Sequence, residues 1–305
     1  TGVRPAPIDR TLITAKVDHH INPNNSMVFR YNLEDRKTSG FYAGGLYVDG
    51  VNQSINAQSF AGSETAVLSE DTFNELLVQY GRYLREDAPE VTDRPAEFRP
   101  GSVQGHHYCC PQRFLENRIE LLDTFTHALH AKGEHTLKTG ADYIHISSEL
   151  TFSQYVGGAY FFGTDDPFNP NDPNTFPSFF ELGVGNDTND DTNNQLSFFV
   201  QDDWRVNERL TLNLGLRYDV EWFDGPQSAI PVGGGTVLVL GKIPELDKNN
   251  FGPRLGFAYD PWGNGKTVVR GGYGRYFKPI LHNVYNNALL FDSQRYLILS
   301  VGDSD

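Results

Sequence analysis

The sequence predicts an all-β protein: part of an antiparallel transmembrane β-barrel, with about ten or eleven meandering strands, short turns at one end and long loops at the other. Three observations carry this. First, RLTLNLGLRYDVEWF, residues 209–223, alternates strictly. Leu210, Leu212, Leu214, Leu216, Tyr218, Val220 and Trp222 fall on one side; Thr211, Asn213, Gly215, Arg217, Asp219 and Glu221 fall on the other. A period of two marks a strand, whose successive side chains point to opposite faces. Second, tight turns and long connections alternate along the chain. Third, the three tryptophans all lie near strand ends.

Strand length favours a membrane over a soluble core. Leu210 to Trp222 spans roughly 40 Å at about 3.3 Å per residue. Strands of soluble domains usually run about 5–6 residues. Tilted by about 40°, this strand stands roughly 30 Å tall, slightly more than the apolar band of about 25 Å on an outer-membrane barrel.

The elements follow as hairpins. The first, near 10–37, is TLITAKVDHH-INPNN-SMVFRYNLEDR, with turn chemistry in Asn-Pro-Asn-Asn. Met27, Phe29, Tyr31 and Leu33 share one side of its second arm; Val28, Arg30, Asn32 and Glu34 share the other. The second, near 54–86, is ambiguous. TFNELLVQYGRYLRED has capping-box spacing in Thr72 and Glu75 and a helical stripe in Leu76, Leu77, Tyr80, Tyr83 and Leu84. As a strand it puts Leu76, Val78 and Tyr80 on one face. The third, near 113–152, turns at Lys132-Gly133; the fourth, near 193–223, turns at NER; the fifth, near 249–278, turns at PWGNG. The connections near 37–53, 87–113, 153–192, 224–249 and from 278 onward are long and rich in Gly, Asn, Asp and Pro. Hairpins in series put the tight turns at one end and the long loops at the other. Short periplasmic turns and long extracellular loops are the pattern of transmembrane barrels.

Composition agrees. Of 305 residues, 38% are hydrophobic, and 15 Tyr, 21 Phe and 30 Gly suit β structure with many turns. The net charge of −14 argues against nucleic-acid binding, which needs basic stripes. A mean hydropathy of −0.46 is compatible with a barrel, whose strands alternate lipid-facing and lumen-facing residues. No run of eighteen apolar residues offers a transmembrane helix. The abrupt start at TGVRPAPIDR and the end at LILSVGDSD suggest an internal stretch of a longer protein.

NNFGPRLGFAYDPWGNGKTVVRGGYGRYF, residues 249–277, closely resembles a barrel hairpin of Oar-like TonB-dependent receptors of the outer membrane. SFFVQDDWRVNERLTLNLGLRYDVEWF, residues 197–223, is similar to the preceding hairpin of that family, and VDHHINPNNSMVFRYNLEDRK to another. A stretch similar to ETAVLSEDTFNELLVQYGRY is strand–turn–strand there, which favours the strand at 70–86. The resemblance covers most of the chain, although the loops match only in character. It implies a 22-stranded barrel with an N-terminal plug, placed in the outer membrane of a Gram-negative bacterium. It also implies an external solute, a lipid surround and energy delivered through TonB. Plug, TonB box and closing aromatic strand are not seen in this stretch, and FDSQRYLILSV offers an eleventh strand.

Candidate sites follow from the two faces. Arg30, Glu34, Arg217, Asp219, Glu221, Arg254 and Arg270 are expected to line the lumen, contacting the plug or solute or simply pairing across strands. Trp204, Tyr218, Trp222, Tyr259, Trp262 and Tyr273 are expected at the membrane interfaces, where a ring can be half wet. Asp202 and Asp203 are consecutive, so one must face outward near an interface. GHHYCC, residues 105–110, reads as two loop thiols or a vicinal disulfide rather than a metal site, because adjacent ligands are poorly spaced. GTDDPFNPNDPN and NDTNDDTNN read as solvated acidic loops rather than calcium sites. His127, His130 and His135 flank the third turn as interfacial residues. GxSxG, HExxH and a P-loop are absent, so no catalytic residue, cofactor or metal is assigned. A passive porin or export channel would share every barrel feature. A barrel protease or lipase, and a soluble sandwich adhesin, are weaker rivals.

Overall fold

The computed structural model describes residues 6–41, 47–224, 230–232, 236–238, 246–280 and 296–302. In chain order the strands are β1 (Ile8–Asn22), β2 (Asn25–Phe41), β3 (Val51–Ser69), β4 (Thr72–Pro89), β5 (Ala96–Arg99), β6 (Ser102–Gln104), β7 (Gln112–His130), β8 (Glu134–Phe152), β9 (Ala159–Phe162), β10 (Pro177–Gly185), β11 (Thr188–Asn207), β12 (Leu210–Asp224), β13 (Ile230–Val232), β14 (Thr236–Leu238), β15 (Phe251–Tyr259), β16 (Val269–Gly274) and β17 (Tyr296–Gly302). The helical element among the described residues is a single 3-10 turn, Pro173–Thr175.

One antiparallel sheet dominates, ordered β1-β2-β3-β4-β7-β8-β11-β12-β15-β16. Each strand pairs with its neighbour in sequence once the loop strands are set aside, which makes a meander. Among the described residues it does not close on itself, leaving β1 and β16 as edges. Eight of its ten strands run 15–20 residues, far longer than a soluble core needs, while β15 and β16 have 9 and 6.

The stretch at 72–89 is strand, not helix. Its register decides the matter: Leu76 lies opposite Glu64 and Asp123, and Tyr80 opposite Phe60 and Ile119. Backbone groups that a helix would satisfy internally are spent on two neighbours instead.

The tight turns all fall at one end, and each is fixed by local chemistry. At the first, Asn22 Oδ1 accepts from Asn24 N at 2.8 Å. At the last, Asp260 accepts from the backbone N–H groups of Trp262, Gly263 and Gly265 at 2.7–3.1 Å. The Gly265 bond, with those from Gly263 and Trp262, holds the Asp260 carboxyl below the usual carboxylate range. That capping is present at neutral pH and fades as pH falls through the lowered value. At the third turn Lys132 and Gly133 have φ of 55° and 124°. A Cβ on Gly133 would lie 2.9 Å from Trp204 Nε1, which itself donates to Lys132 O at 3.2 Å. Gly133→Val should therefore cost about 2 kcal/mol from backbone strain and the clash together. The check is a lower temperature at which the full-length barrel loses its fast, folded migration on a detergent gel.

At the opposite end the connections carry structure of their own. A second sheet, ordered β17-β10-β9-β5-β6, gathers three separate connections. Two sequence expectations are corrected here. Residues 296–302, expected to extend the barrel wall, pair with β10 in this smaller sheet, with Leu297 opposite Val184 and Leu299 opposite Leu182; residues 291–295 of that expected strand lie outside the described residues. NDTNDDTNN, expected as a solvated loop, is strand from Thr188 onward, with Asn189, Asp191 and Asn193 buried. Ser148 donates to Asp191 at 2.6 Å, and Asn193 to Glu221 at 2.7 Å, so these polar side chains are satisfied across the ladder.

Candidate functional site

Partners across an antiparallel ladder share a face, so the registers assign every strand residue to one of two sides. From β12 the assignment runs outward in both directions. Leu214 pairs with Asp202 and Leu255, and Leu255 with Tyr273. Arg217 pairs with Phe199 and Gly252 on the other side. Continued through β8, β7, β4 and β3 to β2, the registers put Arg30, Glu34, Arg217, Asp219, Glu221, Arg254 and Arg270 on a single face.

That face is a network of charge and hydrogen bonds. Arg217 Nε contacts Asp219 Oδ1 at 2.8 Å, and its Nη2 lies 3.6 Å from Asp142 Oδ2. Ser197 donates to the same Asp219 at 2.7 Å. Glu221 accepts from Asn193 Nδ2 and, through its second oxygen, from Ile280 N at 3.0 Å. Glu34 pairs with Arg10 at 3.0 Å. Arg254 lies over the Tyr276 ring at 4.8 Å. Arg30 and Arg270 are exposed. Arg217 joins the centre, and a polar recess beside it is lined by Asp142, Gln195, Glu221, Asn250 and Lys278.

The opposite face is mainly apolar and exposed. Val17, Phe29, Phe60, Val78, Ile119, Leu121, Phe198, Val200, Leu216 and Leu255 are each more than a third accessible. Trp204 stacks on His135 at 5.0 Å, two residues from a turn, and Trp222 faces Tyr143 near the long-loop end. From the Trp204 level, marked by its partner Leu212, to Trp222 is ten residues. Tilted by about 40° that is roughly 25 Å, the height of a barrel's apolar band. Tyr259 sits at the turn end opposite Leu210, and Trp262 lies in the turn itself, 64% exposed. Tyr218 and Tyr273 fall within the band rather than at its rims, Tyr218 against Phe251 at 4.8 Å and Tyr273 opposite Leu255. Asp202 is on this face, bonded to His135 Nδ1 at 2.8 Å, whereas Asp203 is on the polar one. Of the three turn histidines, His127 bonds Thr72 on the apolar side, and His130 lies on the polar side. The apolar side also carries Glu64 and Asp123, the latter accepting from Asn74 at 2.7 Å.

Two features go beyond the sequence reading. The first is an aromatic stack in the smaller sheet: Phe161 lies between Phe98 at 4.5 Å and Phe179 at 4.3 Å, nearly parallel to both. The aromatic density of AYFF and PSFF was its signal. The second is at GHHYCC, where Cys109 and Cys110 are free thiols and both buried. A turn closed by Cys110 N donating to His107 O at 3.1 Å folds the segment back on itself. The Cys110 side chain, against the cost of burial and with help from His107, holds the Cys109 thiol down at about 5, while Cys109 and burial push Cys110 up. Burial raises the phenols of neighbouring Tyr108 and Tyr155 to about 12, so both stay neutral.

A long antiparallel sheet with one polar, hydrogen-bonded face, one exposed apolar face about as tall as a bilayer core, and tight turns at a single end defines the wall of a transmembrane β-barrel. Residues 2–298 match the family described as outer membrane beta barrel domain. The chain belongs to that family and to the outer membrane of a Gram-negative bacterium. The chain is 29% identical over 176 residues to the TonB-dependent transporter Oar of Myxococcus xanthus, covering 53% of this chain and 15% of that protein. Two solved structures share the fold. The ferripyoverdine receptor of Pseudomonas aeruginosa, bound to ferripyoverdine, aligns at a TM-score of 0.61 and 14% identity over 88% of this chain and 35% of its own. The outer membrane transporter YddB of Escherichia coli aligns at 0.59 and 11% over 98% and 35%. The chain therefore spans a minor part of each of these relatives.

Proposed function

We propose that this chain is part of the barrel wall of a TonB-dependent outer-membrane receptor, which binds an external solute and admits it through a plugged pore. The observation that carries the reading is the sorting of all seven candidate charges onto one face of a membrane-spanning sheet whose relative Oar is named as a TonB-dependent transporter. In this reading the polar face is lumen, where Arg217, Asp219 and Asp142 meet the plug or the passing solute. The apolar face meets lipid, with Trp204 and Trp222 at its two interfaces. The smaller sheet and its Phe98–Phe161–Phe179 stack stand on the extracellular side, where solute is first met. Plug and closing strand would belong to the longer protein. The chain acts by binding and conduction, not by covalent chemistry.

The test is conductance of the full-length protein in planar bilayers. A plugged receptor gives no steady current until the plug is deleted or unfolded. A steady open current from the intact protein would replace the receptor with a passive channel.

A further inference from the structure

We propose that His107, Cys109 and Cys110 form a binding site for a zinc-class metal ion at the base of the 90–111 connection, on the long-loop side of the barrel. Among the described residues this is the one place where three such donors converge: one ligand atom from each lies within 4.8 Å of the other two. His107 Nδ1 is 3.2 Å from Cys109 Sγ.

The paired cysteines of structural zinc sites usually converge across two to four intervening residues. Here the turn does it instead. The Cys110 N–H to His107 O bond brings positions 107 and 110 together, and Gln112 Nε2 donates to Cys109 O at 2.8 Å, fixing the segment from the other side. The donors are also held from outside. The His107 ring stacks on Tyr47 at 5.5 Å. Cys109 and Cys110 pack with Val51 at the start of β3 and with Phe152 at the end of β8. Accessibilities of 6% for His107, 9% for Cys109 and 0% for Cys110 leave the donors nearly dry.

The donor set selects the ion. Two thiolates and an imidazole suit zinc or another soft to borderline ion, not calcium or magnesium. Zinc takes sulfur at about 2.3 Å and nitrogen at about 2.0–2.1 Å, so tetrahedral donors stand roughly 3.5–3.8 Å apart. The His107–Cys109 separation of 3.2 Å lies just below that range, and all three ligand atoms stay within 4.8 Å of one another. Binding is balanced as one divalent ion in and the protons still carried by the two thiols out. Three protein donors leave a fourth position for water or a group carried by an incoming molecule. An ion here would close residues 107–110 into one chelate beside the rims of β3 and β8.

The test uses the full-length protein extracted in detergent under a mild reductant, loaded with Zn(II), dialysed and assayed for metal and for free thiols. Folding of each variant is checked by heat-modifiable gel migration. The wild type and the exposed-histidine control His130→Gln should hold one zinc per chain. His107→Ala, and the near-isosteric Cys109→Ser and Cys110→Ser, should each weaken retention by more than about tenfold. Equal zinc content in wild type and variants would overturn the site. So would a disulfide joining the two sulfurs in protein taken from membranes.

Discussion

Leu216→Arg is expected to cost about 2–4 kcal/mol and to deplete the protein from the outer membrane, because it sets a guanidinium against lipid near the middle of the apolar band. Leu216 is 43% exposed and lies between Val200 and Pro253, with no carboxylate directly opposite it; the diagonal Asp202 is already bonded to His135. It stands four residues above the Trp204 level and six below Trp222, too far from either rim for the side chain to reach water easily. Asn213→Arg is the paired control on the same strand. Asn213 lies on the polar face opposite Asp203, which its amide already contacts, so a cation there meets a carboxylate and should change stability by less than about 0.5 kcal/mol. The readout is the amount of folded, heat-modifiable barrel in outer-membrane fractions. Equal loss from both substitutions would mean that the two faces meet the same solvent.

Arg85→Met is expected to cost about 2–3 kcal/mol for the opposite reason, an unpaired buried charge. The Asp87 side chain is fully buried, bonded to the Arg85 guanidinium and accepting from Gln53 Nε2 at 3.0 Å. Removing the cation leaves a carboxylate with one amide donor in a dry site. Breaking a buried pair typically costs about 3–5 kcal/mol, reduced here because Arg85 keeps about a third of its own exposure. Arg85→Met with Asp87→Leu should recover most of the loss, since replacing both partners by apolar groups removes the orphan. A double variant no more stable than the single one would contradict this assignment. The pair sits at the loop end of the sheet, so the melting temperature of the folded band, not membrane insertion, should report it.

The wall was legible because it has two solvents. Where one face is apolar and the other polar, as at Leu210–Trp222, a period of two stands out and the strand can be read directly. At Thr72–Pro89 the contrast weakens: Phe73, Leu77 and Tyr83 fall on the same face as Gln79 and Asp87, so apolar residues occur on both sides and a helical stripe fits equally well. There the family resemblance favoured the strand, and pairing with β3 and β7 bears it out. At Thr188–Asn194 the strand has polar residues on both faces, and alternation has nothing to show. At Tyr296–Gly302 the strand was visible, but its partner β10 was not, since pairing among distant connections leaves no local mark. The polar face was readable as a list of charges, but the Arg217–Asp219–Asp142 contact depends on two registers at once. The convergence at His107, Cys109 and Cys110 depends on one turn, which residue spacing alone does not encode.

The most direct test of the account is a nitroxide scan of β12 from Leu212 to Arg217 in the full-length protein, in a Cys109→Ser, Cys110→Ser background, reconstituted in lipid. Collision with oxygen, which concentrates in the bilayer, is compared with collision with a water-soluble nickel chelate. The account predicts oxygen-dominated collision at Leu212, Leu214 and Leu216 and a shift toward the chelate at Asn213, Gly215 and Arg217, alternating residue by residue. A profile without that alternation, or chelate-dominated collision at all six positions, would contradict a lipid-facing wall.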